Sequence, residues 1–187
     1  KDNGVRVANW FIENKKGGGK VAVIEGQPGV FAAKQRTEGF SETINQAGNF
    51  NIVASVPANW SREQAYNAAT TILQRHPDLI GFYVNNDGMA LGVVEAVKAV
   101  KLQEQVSVFG TDGISDAYNS ILAGELTGTV DSFPVLTGEI AMEVALRLSL
   151  GQKLPRVVTT PQALITKENA KDYFQSDRET IRKILTK

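Results

Sequence analysis

The stretch Val21-Ala22-Val23-Ile24-Glu25-Gly26 decides the fold class. Its four apolar residues follow one another without polar alternation, which predicts a strand that is buried on both faces. Glu25-Gly26 ends this run, and a pattern of helical period begins near Phe31 and ends at Gly48-Asn49. A buried strand followed by a helix is the repeating unit of a sheet with parallel strands.

The same unit recurs along the rest of the chain, because further apolar runs are each followed by a pattern of helical period. This alternation predicts an α/β fold, in which helices cover both faces of a parallel sheet. One of the predicted helices begins with a capping box at Ser61 and Gln64. The predicted strands are 50–56, 79–84, 106–109 and 126–130, and the predicted helices are 61–76, 87–100, 114–123 and 134–150.

The composition excludes several classes of function. The 187 residues include 20 basic and 20 acidic side chains, so the formal net charge is zero. No basic cluster stands out that could neutralise phosphates, and no nucleic-acid partner is expected. The chain has no cysteine and a single histidine, His76. Thiolate metal sites and histidine-activated nucleophiles are therefore excluded, and neither a catalytic residue nor a metal nor a cofactor is expected.

Polar side chains follow the predicted strands at their carboxyl ends, where open α/β sheets bind their ligands. Adjacent sugar hydroxyls match the two ends of a carboxylate, an amide or a guanidinium group. The apolar C–H face of a sugar packs on an aromatic ring. This mixture of side chains predicts sugar binding without catalysis. The residues at the strand ends are Gln27, Arg36, Trp60, Asn85, Asn86, Asp87, Asp112, Asp131 and Ser132.

Each of these side chains also has a purely structural interpretation. Asn85, Asn86 and Asp87 are all favoured residues for a helix N-cap, and the cap is assigned more readily to Asp87 than to Asn86. Asp112 suits a turn, and Trp60 suits a hydrophobic staple. Arg36 suits an exposed charge on a helix. The agreement among several strands, rather than any one residue, favours a binding site.

Several segments form a combined pattern that is more specific than any one of its motifs. They are Asp2-Asn3, Val23-Ile24-Glu25-Gly26, 32–40, Pro57-Ala58-Asn59-Trp60, Asn86-Asp87-x-Met89-Ala90-x-Gly92, Gly110-Thr111-Asp112-Gly113 and 124–130. Together they resemble the ribose/allose-type periplasmic sugar-binding proteins, which capture substrates for ABC sugar importers. The resemblance implies a type I periplasmic binding protein, and mainly its C-terminal lobe.

The resemblance implies roles for particular residues. Arg36, Asn86 and Asp112 match residues that hydrogen-bond sugar hydroxyls. Trp60 matches an aromatic residue that packs on the face of the sugar, and Gln27 matches a residue that lines the pocket. These five positions coincide with the strand ends that the residues themselves indicate.

The chain departs from the resemblance at Asp131-Ser132, where ribose-type members have Ala-Gln. A hydroxyl-binding amide is replaced by the shorter hydroxyl of Ser132, and Asp131 adds a carboxylate beside it. Asp131 either reaches into the pocket or points away from it. Both residues are counted in the expected sugar-binding site, and the departure leaves the identity of the sugar open.

The family has two similar lobes, and its first lobe precedes the segment that matches Asp2-Asn3. The chain is therefore expected to begin part-way into a longer protein and to lack roughly a hundred residues of that lobe. Without it, the helix from Pro134 should expose a stripe of Ile140, Val144 and Leu148. The expected layout is a sugar-binding lobe over 1–132, a helix and connection that pack on the first lobe over 133–157, and a returning strand with a helical tail over 158–187.

The resemblance implies a non-catalytic receptor that binds a pentose or hexose and presents it to a membrane ABC permease. A periplasmic or extracellular location is expected, with a lipid anchor in a Gram-positive organism. Two alternatives use the same fold: the effector-binding core of a LacI-type transcriptional repressor, and the sensor domain of a sugar-responsive receptor. Glycoside hydrolysis by Asp112 and Asp131 ranks last.

Overall fold

The computed structural model describes residues 1–174 and residue 179 of the chain. The expected tail helix with Ile181, Ile184 and Leu185 lies outside the described residues. Helices and strands alternate as the sequence predicts. The helices are α1 (Asp2–Asn14), α2 (Phe31–Gln46), α3 (Arg62–Arg75), α4 (Asp87–Ala99), α5 (Ser115–Ala123), α6 (Pro134–Ser149) and α7 (Ala170–Tyr173), and the strands are β1 (Gly19–Glu25), β2 (Phe50–Pro57), β3 (Leu79–Val84), β4 (Ser107–Asp112), β5 (Gly128–Asp131) and β6 (Ala163–Thr166).

The strands form one sheet in the order β2-β1-β3-β4-β5-β6. The first five strands in this order are parallel, which confirms the predicted α/β class. β6 is antiparallel to β5, with Ala163 opposite Asp131, so the sheet is not parallel throughout. The reason is that the chain leaves β5 at the carboxyl edge, passes through α6 and re-enters the sheet at that same edge.

Helices cover both faces of the sheet, as predicted. Val21 and Val23 of β1 face a core with α1 and α2, whereas Ala22 and Ile24 face a second core with α3, α4 and α5. Phe11 contributes to the first core and has no exposed surface. This alternation along one strand places apolar residues on both sides, which explains the continuous apolar run in the sequence.

Within the described residues, helix α6 packs against the rest of the chain near its beginning. Leu136 is its one buried residue, and Ile140 packs partly on the core. Of the predicted stripe, Leu148 is exposed, whereas Ile140 and Val144 are half-buried. The exposed apolar surface therefore differs from the prediction, and it includes Val135, Met142, Leu146 and Leu148. Within residues 1–174 and 179, no helix combines the length and hydropathy that a membrane span requires.

The capping box at the start of α3 is half formed. The Ser61 hydroxyl accepts a hydrogen bond from the Gln64 amide nitrogen at 3.3 Å, as predicted. The Gln64 side chain does not reach back to Ser61, because its Oε1 accepts a hydrogen bond from Nδ2 of Asn59 at 2.9 Å. The end of α3 is as predicted, because the helix stops at Arg75 with His76 as its C-cap.

Candidate functional site

The carboxyl ends of the parallel strands lie side by side along one edge of the sheet. Ile24 of β1 is in register with Val84 of β3, and Asp112 of β4 is in register with Asp131 of β5. The loops that leave these strands therefore meet at this edge, as the sequence predicts. We call it the strand-end edge, and it carries all of the sequence-predicted site residues.

Arg36 and Asp112 form an ion pair across the strand-end edge. Nη2 of Arg36 lies 3.1 Å from Oδ1 of Asp112, and Nη1 donates a 2.5 Å hydrogen bond to the backbone oxygen of Asn85. Only 19% of the Arg36 side chain is exposed. The interpretation of Arg36 as an exposed helix charge is therefore wrong, because the guanidinium bridges the loops that follow β3 and β4.

Two opposing effects act on the carboxyl group of Asp112. Burial raises its pKa, and the Arg36 charge and hydrogen bond lower it, with a net increase above the ordinary value. The Asp112 backbone has a φ of 130°, a region that side chains other than glycine rarely adopt. Asp112 is the last residue of β4 and begins the turn that follows it. Asp112 is therefore both a turn residue and a residue of the candidate site.

Asn86 caps helix α4, whereas Asp87 does not, which reverses the order expected from the sequence. Oδ1 of Asn86 accepts a hydrogen bond from the amide of Met89 at 3.0 Å. Asp87 is instead completely buried and bonds to residues of other elements. Asn86 is half-buried, and the cap uses only the carbonyl end of its side chain, so the amide nitrogen can still donate to a ligand.

Asn85 joins the loop after β1, helix α2 and the loop after β3 at the strand-end edge, whereas the sequence indicates it only as one of three polar residues that follow β3. Its side chain has no exposed surface, and its Oδ1 accepts hydrogen bonds from the Gly26 amide at 3.1 Å and the Thr37 hydroxyl at 3.3 Å. Its backbone oxygen holds Arg36. Among the described residues, Nδ2 of Asn85 has no hydrogen-bond partner. The available signal was three successive polar residues after a buried strand, of which a helix cap needs only one.

Trp60 lies directly over the end of β1. A Cβ atom placed on Gly26 would come within 2.1 Å of Cη2 of Trp60, so only glycine leaves room for the indole. Asn59 and Trp60 both have positive φ, at 52° and 62°, and this turn brings the ring back over the edge. Trp60 packs partly on the core, as a staple would, and its half-buried ring also borders the edge. Gln27 follows Gly26, and its side chain is exposed.

Asp131 points into the protein, where both of its oxygens accept hydrogen bonds. The Tyr118 hydroxyl donates to Oδ2 at 2.7 Å, and the Phe133 amide donates to Oδ1 at 2.7 Å. Burial raises the pKa of Asp131, although both hydrogen bonds oppose the increase. Ser132 is half-buried, and its hydroxyl donates to the backbone oxygen of Asp112 at 3.4 Å. Tyr118 was missed because nothing in the sequence near it indicates a partner on β5.

The strand-end edge offers donors and acceptors of the kinds that sugar hydroxyls match. The guanidinium of Arg36 and the carboxylate of Asp112 balance each other in charge, and the amide of Asn86 and the ring of Trp60 add polar and apolar contact. In the part of the chain that the structure describes, no group of three His, Cys, Asp or Glu side chains is placed to hold a metal ion. The arrangement therefore suits recognition of a neutral polyhydroxylated ligand.

Comparison with known proteins decides the family. The model of the periplasmic binding protein domain family matches residues 1–153. The chain belongs to this family. The D-allose-binding periplasmic protein of Escherichia coli K12 is 40% identical over 136 residues, which is 72% of this chain and 44% of that protein. The ribose import binding protein RbsB of Bacillus subtilis 168 is 34% identical over 166 residues, or 88% of this chain and 53% of that protein.

Solved structures of solute-binding and sugar-binding proteins agree with this fold. A solute-binding protein of an ABC transporter from Actinobacillus succinogenes, with D-allose bound, has a TM-score of 0.87 and 36% identity. The match covers 91% of this chain and 61% of that structure. GanP from Geobacillus stearothermophilus, a glucose-galactose binding protein, has a TM-score of 0.85 and 27% identity, covering 89% of this chain and 60% of its own. The chain thus spans about half the length of the curated relatives that it matches.

Proposed function

We propose that the chain is one lobe of a non-catalytic receptor that binds a neutral pentose or hexose for an ABC sugar importer. The observation that carries the proposal is the Arg36–Asp112 ion pair, held at the strand-end edge beside Asn86 and Trp60. A guanidinium and a carboxylate that are already paired attract no net charge. They can still donate to and accept from adjacent hydroxyls of one sugar.

The relatives support a sugar as the class of ligand. The E. coli relative is named for D-allose and the B. subtilis relative for ribose, and the A. succinogenes structure holds D-allose. Gln27, Asp131 and Ser132 are proposed to complete the polar lining around the ring. Asp131 can take part although it is buried, because each carboxylate oxygen has a lone pair beyond the hydrogen bond that it already accepts.

The arrangement of carboxylates supports binding rather than hydrolysis. Glycosidases use one carboxyl group as an acid and a second as a nucleophile or base. Here Asp112 is paired with Arg36, and Asp131 is held by Tyr118 and the Phe133 amide. Neither carboxyl group is placed as a free partner for the other, and we propose that the protein releases its sugar unchanged.

The exposed surface of α6 supports a second lobe in the same protein. Apolar side chains along this helix face solvent, and Met142 is 72% exposed. Soluble proteins rarely leave such a surface uncovered. We propose that residues 133–157 pack on a first lobe that precedes this chain, that the lobes close over the sugar, and that the closed form docks on a membrane permease. The whole protein would then act in the periplasm or outside the cell.

Calorimetric titration of the full-length protein tests this function. The panel contains D-ribose, D-allose, D-glucose, D-galactose and myo-inositol. We expect saturable one-to-one binding of at least one sugar with micromolar or tighter affinity and no chemical change in the recovered sugar. Because half of the enclosing wall is absent, the 187-residue chain alone should bind the same sugar far more weakly.

Two results would overturn the proposal. A folded full-length protein that gives no heat with any sugar would favour phosphorylated effectors and the repressor alternative. A chemically altered sugar would show an enzyme. Micromolar binding by the 187-residue chain alone would contradict the proposal that a second lobe completes the pocket.

A further inference from the structure

Asp87 is a buried carboxylate that the proposed sugar contacts do not use. It has no exposed surface, although it is the first residue of α4. Oδ2 accepts hydrogen bonds from the amides of Gly113 at 2.8 Å and Ile114 at 3.0 Å. Oδ1 accepts a 2.6 Å hydrogen bond from the Thr129 hydroxyl of β5. One side chain therefore joins α4, the turn after β4 and the neighbouring strand.

Capping of α4 does not account for this carboxylate. Asn86 already satisfies the Met89 amide, which is the usual task of an N-cap side chain. A carboxylate at the first position of a helix gains from the helix dipole while it is exposed to solvent, and it does not need burial for that gain. The burial of Asp87 costs free energy unless its acceptors are satisfied, so the three donors explain why it is tolerated.

The turn that Asp87 holds has a strained backbone. Asp112 has a φ of 130° and Gly113 a φ of 86°, so two successive residues lie at positive φ. A Cβ atom on Gly113 would come within 2.1 Å of the carboxyl carbon of Asp131, which leaves the turn no room to shift toward β5. Strained conformations of this kind persist only where the surrounding structure imposes them. The hydrogen bonds to Asp87 supply that constraint from one side.

The strand beneath Asp87 is shaped to admit it. A Cβ atom on Gly110 of β4 would come within 2.2 Å of Oδ1 of Asp87. Any other residue at this position would displace the carboxylate from Thr129 or from the turn. The absence of a side chain at Gly110 therefore leaves the space that the Asp87 carboxylate occupies.

The turn carries Asp112, the partner of Arg36, and its position sets the geometry of the ion pair. The Gly113 amide, which donates a hydrogen bond to Asp87, belongs to the peptide bond that directly follows Asp112. The 3.1 Å contact between Arg36 and Asp112 tolerates little displacement, because it already lies near the upper end of the range of about 2.7–3.2 Å for N–H···O hydrogen bonds.

We propose that Asp87 is a positioning residue, which does not touch the sugar but holds the Asp112-Gly113 turn so that Asp112 meets Arg36 and the ligand. This role rests on the proposed sugar-binding function. Two predictions separate it from a general contribution to stability. First, loss of the Asp87 carboxylate should loosen the backbone at Gly113 and Ile114 in particular. Second, substitution by Asn should keep the turn in place, since the side-chain oxygen of Asn can accept hydrogen bonds from the turn while its NH2 group donates to Thr129.

The test uses the full-length protein and the variants Asp87→Ala, Asp87→Asn and Val97→Ala. Val97 is buried in the last turn of α4, and its apolar side chain forms no hydrogen bond with the turn after β4, so its substitution is a control for lost core packing in the same helix. Amide hydrogen exchange is measured at residues 110–116, and affinity is measured by titration with D-allose and D-ribose. Exchange does not require sugar, so it still tests the role of Asp87 if neither sugar binds.

We expect Asp87→Ala to accelerate exchange at Gly113 and Ile114 and to weaken sugar binding about tenfold or more, because the two amides lose a buried acceptor. Asp87→Asn should remain within about threefold of the original affinity, and Val97→Ala should leave exchange at the turn unchanged. The proposal is overturned if Asp87→Ala leaves both exchange and affinity unchanged, or if Val97→Ala loosens the turn equally. Should Asp87→Ala not fold, Thr129→Val decides, with faster exchange at the turn supporting the proposal and unchanged exchange rejecting it.

Discussion

The strand-end edge and helix α6 expose their side chains in opposite ways. At the edge, half-buried polar groups are held by other parts of the chain, as Arg36 is by Asp112 and Asn85. Along α6, apolar side chains such as Met142 and Leu146 face solvent, and only Leu136 is buried. The polar groups of the edge are thus held in place by contacts within the chain, whereas α6 has a surface suited to a further partner. Preorganised polar groups lose little freedom on binding, which favours a site at the edge.

The largest expected effect concerns the support beneath the edge. Phe40 of α2 has no exposed surface and stacks on Tyr83 with ring centroids 4.9 Å apart. In the 187-residue chain, Phe40→Ala should lower the free energy of unfolding by about 3–5 kcal/mol. Met142→Ala on α6 should change it by less than about 0.5 kcal/mol. Urea denaturation of both variants measures the difference, and equal losses would show that α6 is packed within this chain.

The second effect concerns the ion pair at the edge. In the full-length protein, Arg36→Ala should weaken sugar binding by about 2 kcal/mol or more, because Asp112 is left half-buried without its partner. Asp112→Ala and Asn86→Ala should have losses of the same order. The matched control is Lys34→Ala on the same helix, whose side chain is 71% exposed and pairs with Glu38. Calorimetric affinities close to the original for all three site variants would reject the site.

The third effect is on the pH dependence of the free energy of unfolding, to which a buried carboxyl group at the edge contributes more than an exposed one. Burial raises the pKa of Asp87 to about 6, with the charge of Asp112 adding to the increase and three hydrogen bonds opposing it. Because the folded pKa exceeds that of the unfolded chain, folding takes up a proton at acidic pH. The protonated form of Asp87 therefore stabilises the folded chain. This contribution is complete below the pKa that Asp87 has in the unfolded chain, and it is lost as the pH rises through about 6.

Lowering the pH from about 7 to about 5 should therefore raise the free energy of unfolding by about 1 kcal/mol through Asp87. The Asp87→Asn variant should lack this part of the pH dependence, and urea denaturation at both pH values measures it. Glu95→Gln, on the exposed part of the same helix, is the control and should keep it. An identical pH dependence in Asp87→Asn and the original chain would show that Asp87 has an ordinary pKa.

The smallest effect concerns the two tryptophans. Trp60 borders the edge, whereas Trp10 lies on the opposite core beside Phe109, at a centroid distance of 4.6 Å. Sugar addition to the full-length protein should change the fluorescence of Trp60, and Trp60→Phe should remove that response and cost about 1 kcal/mol of affinity or less. Trp10→Phe should keep the response. A response that survives in Trp60→Phe would identify Trp10 as the reporter and leave the stacking role of Trp60 unsupported.

Much of this fold was predictable because its strands are short apolar runs with distinct ends. The runs at Val21 and Leu79 predict buried strands, and the residues after them mark the edge at which a ligand binds. The antiparallel direction of β6 was not predictable, since it depends on where the chain re-enters the sheet after α6. That path is a property of packing rather than of the sequence near Ala163.

The site was predictable in position and less so in its contacts. Arg36 and Asp112 are 76 residues apart, and only the folded sheet shows that they pair. Asn86 and Asp87 are both good caps by residue type, and the choice between them is made by distant donors at Gly113 and Thr129. The contacts of Asn85 were not predictable for the same reason, because its partners come from the end of β1 and from α2.

The most direct test of the central claim is amide hydrogen exchange of the full-length protein with and without the tightest-binding sugar of the panel. The account predicts added protection in the loops at the strand ends, at residues 26–29, 57–60, 85–87, 111–114 and 131–133. It also predicts no comparable change in the open groove between α4 and α5 that Lys98 and Glu125 line. Protection centred on that groove, with none in the strand-end loops, would contradict the account.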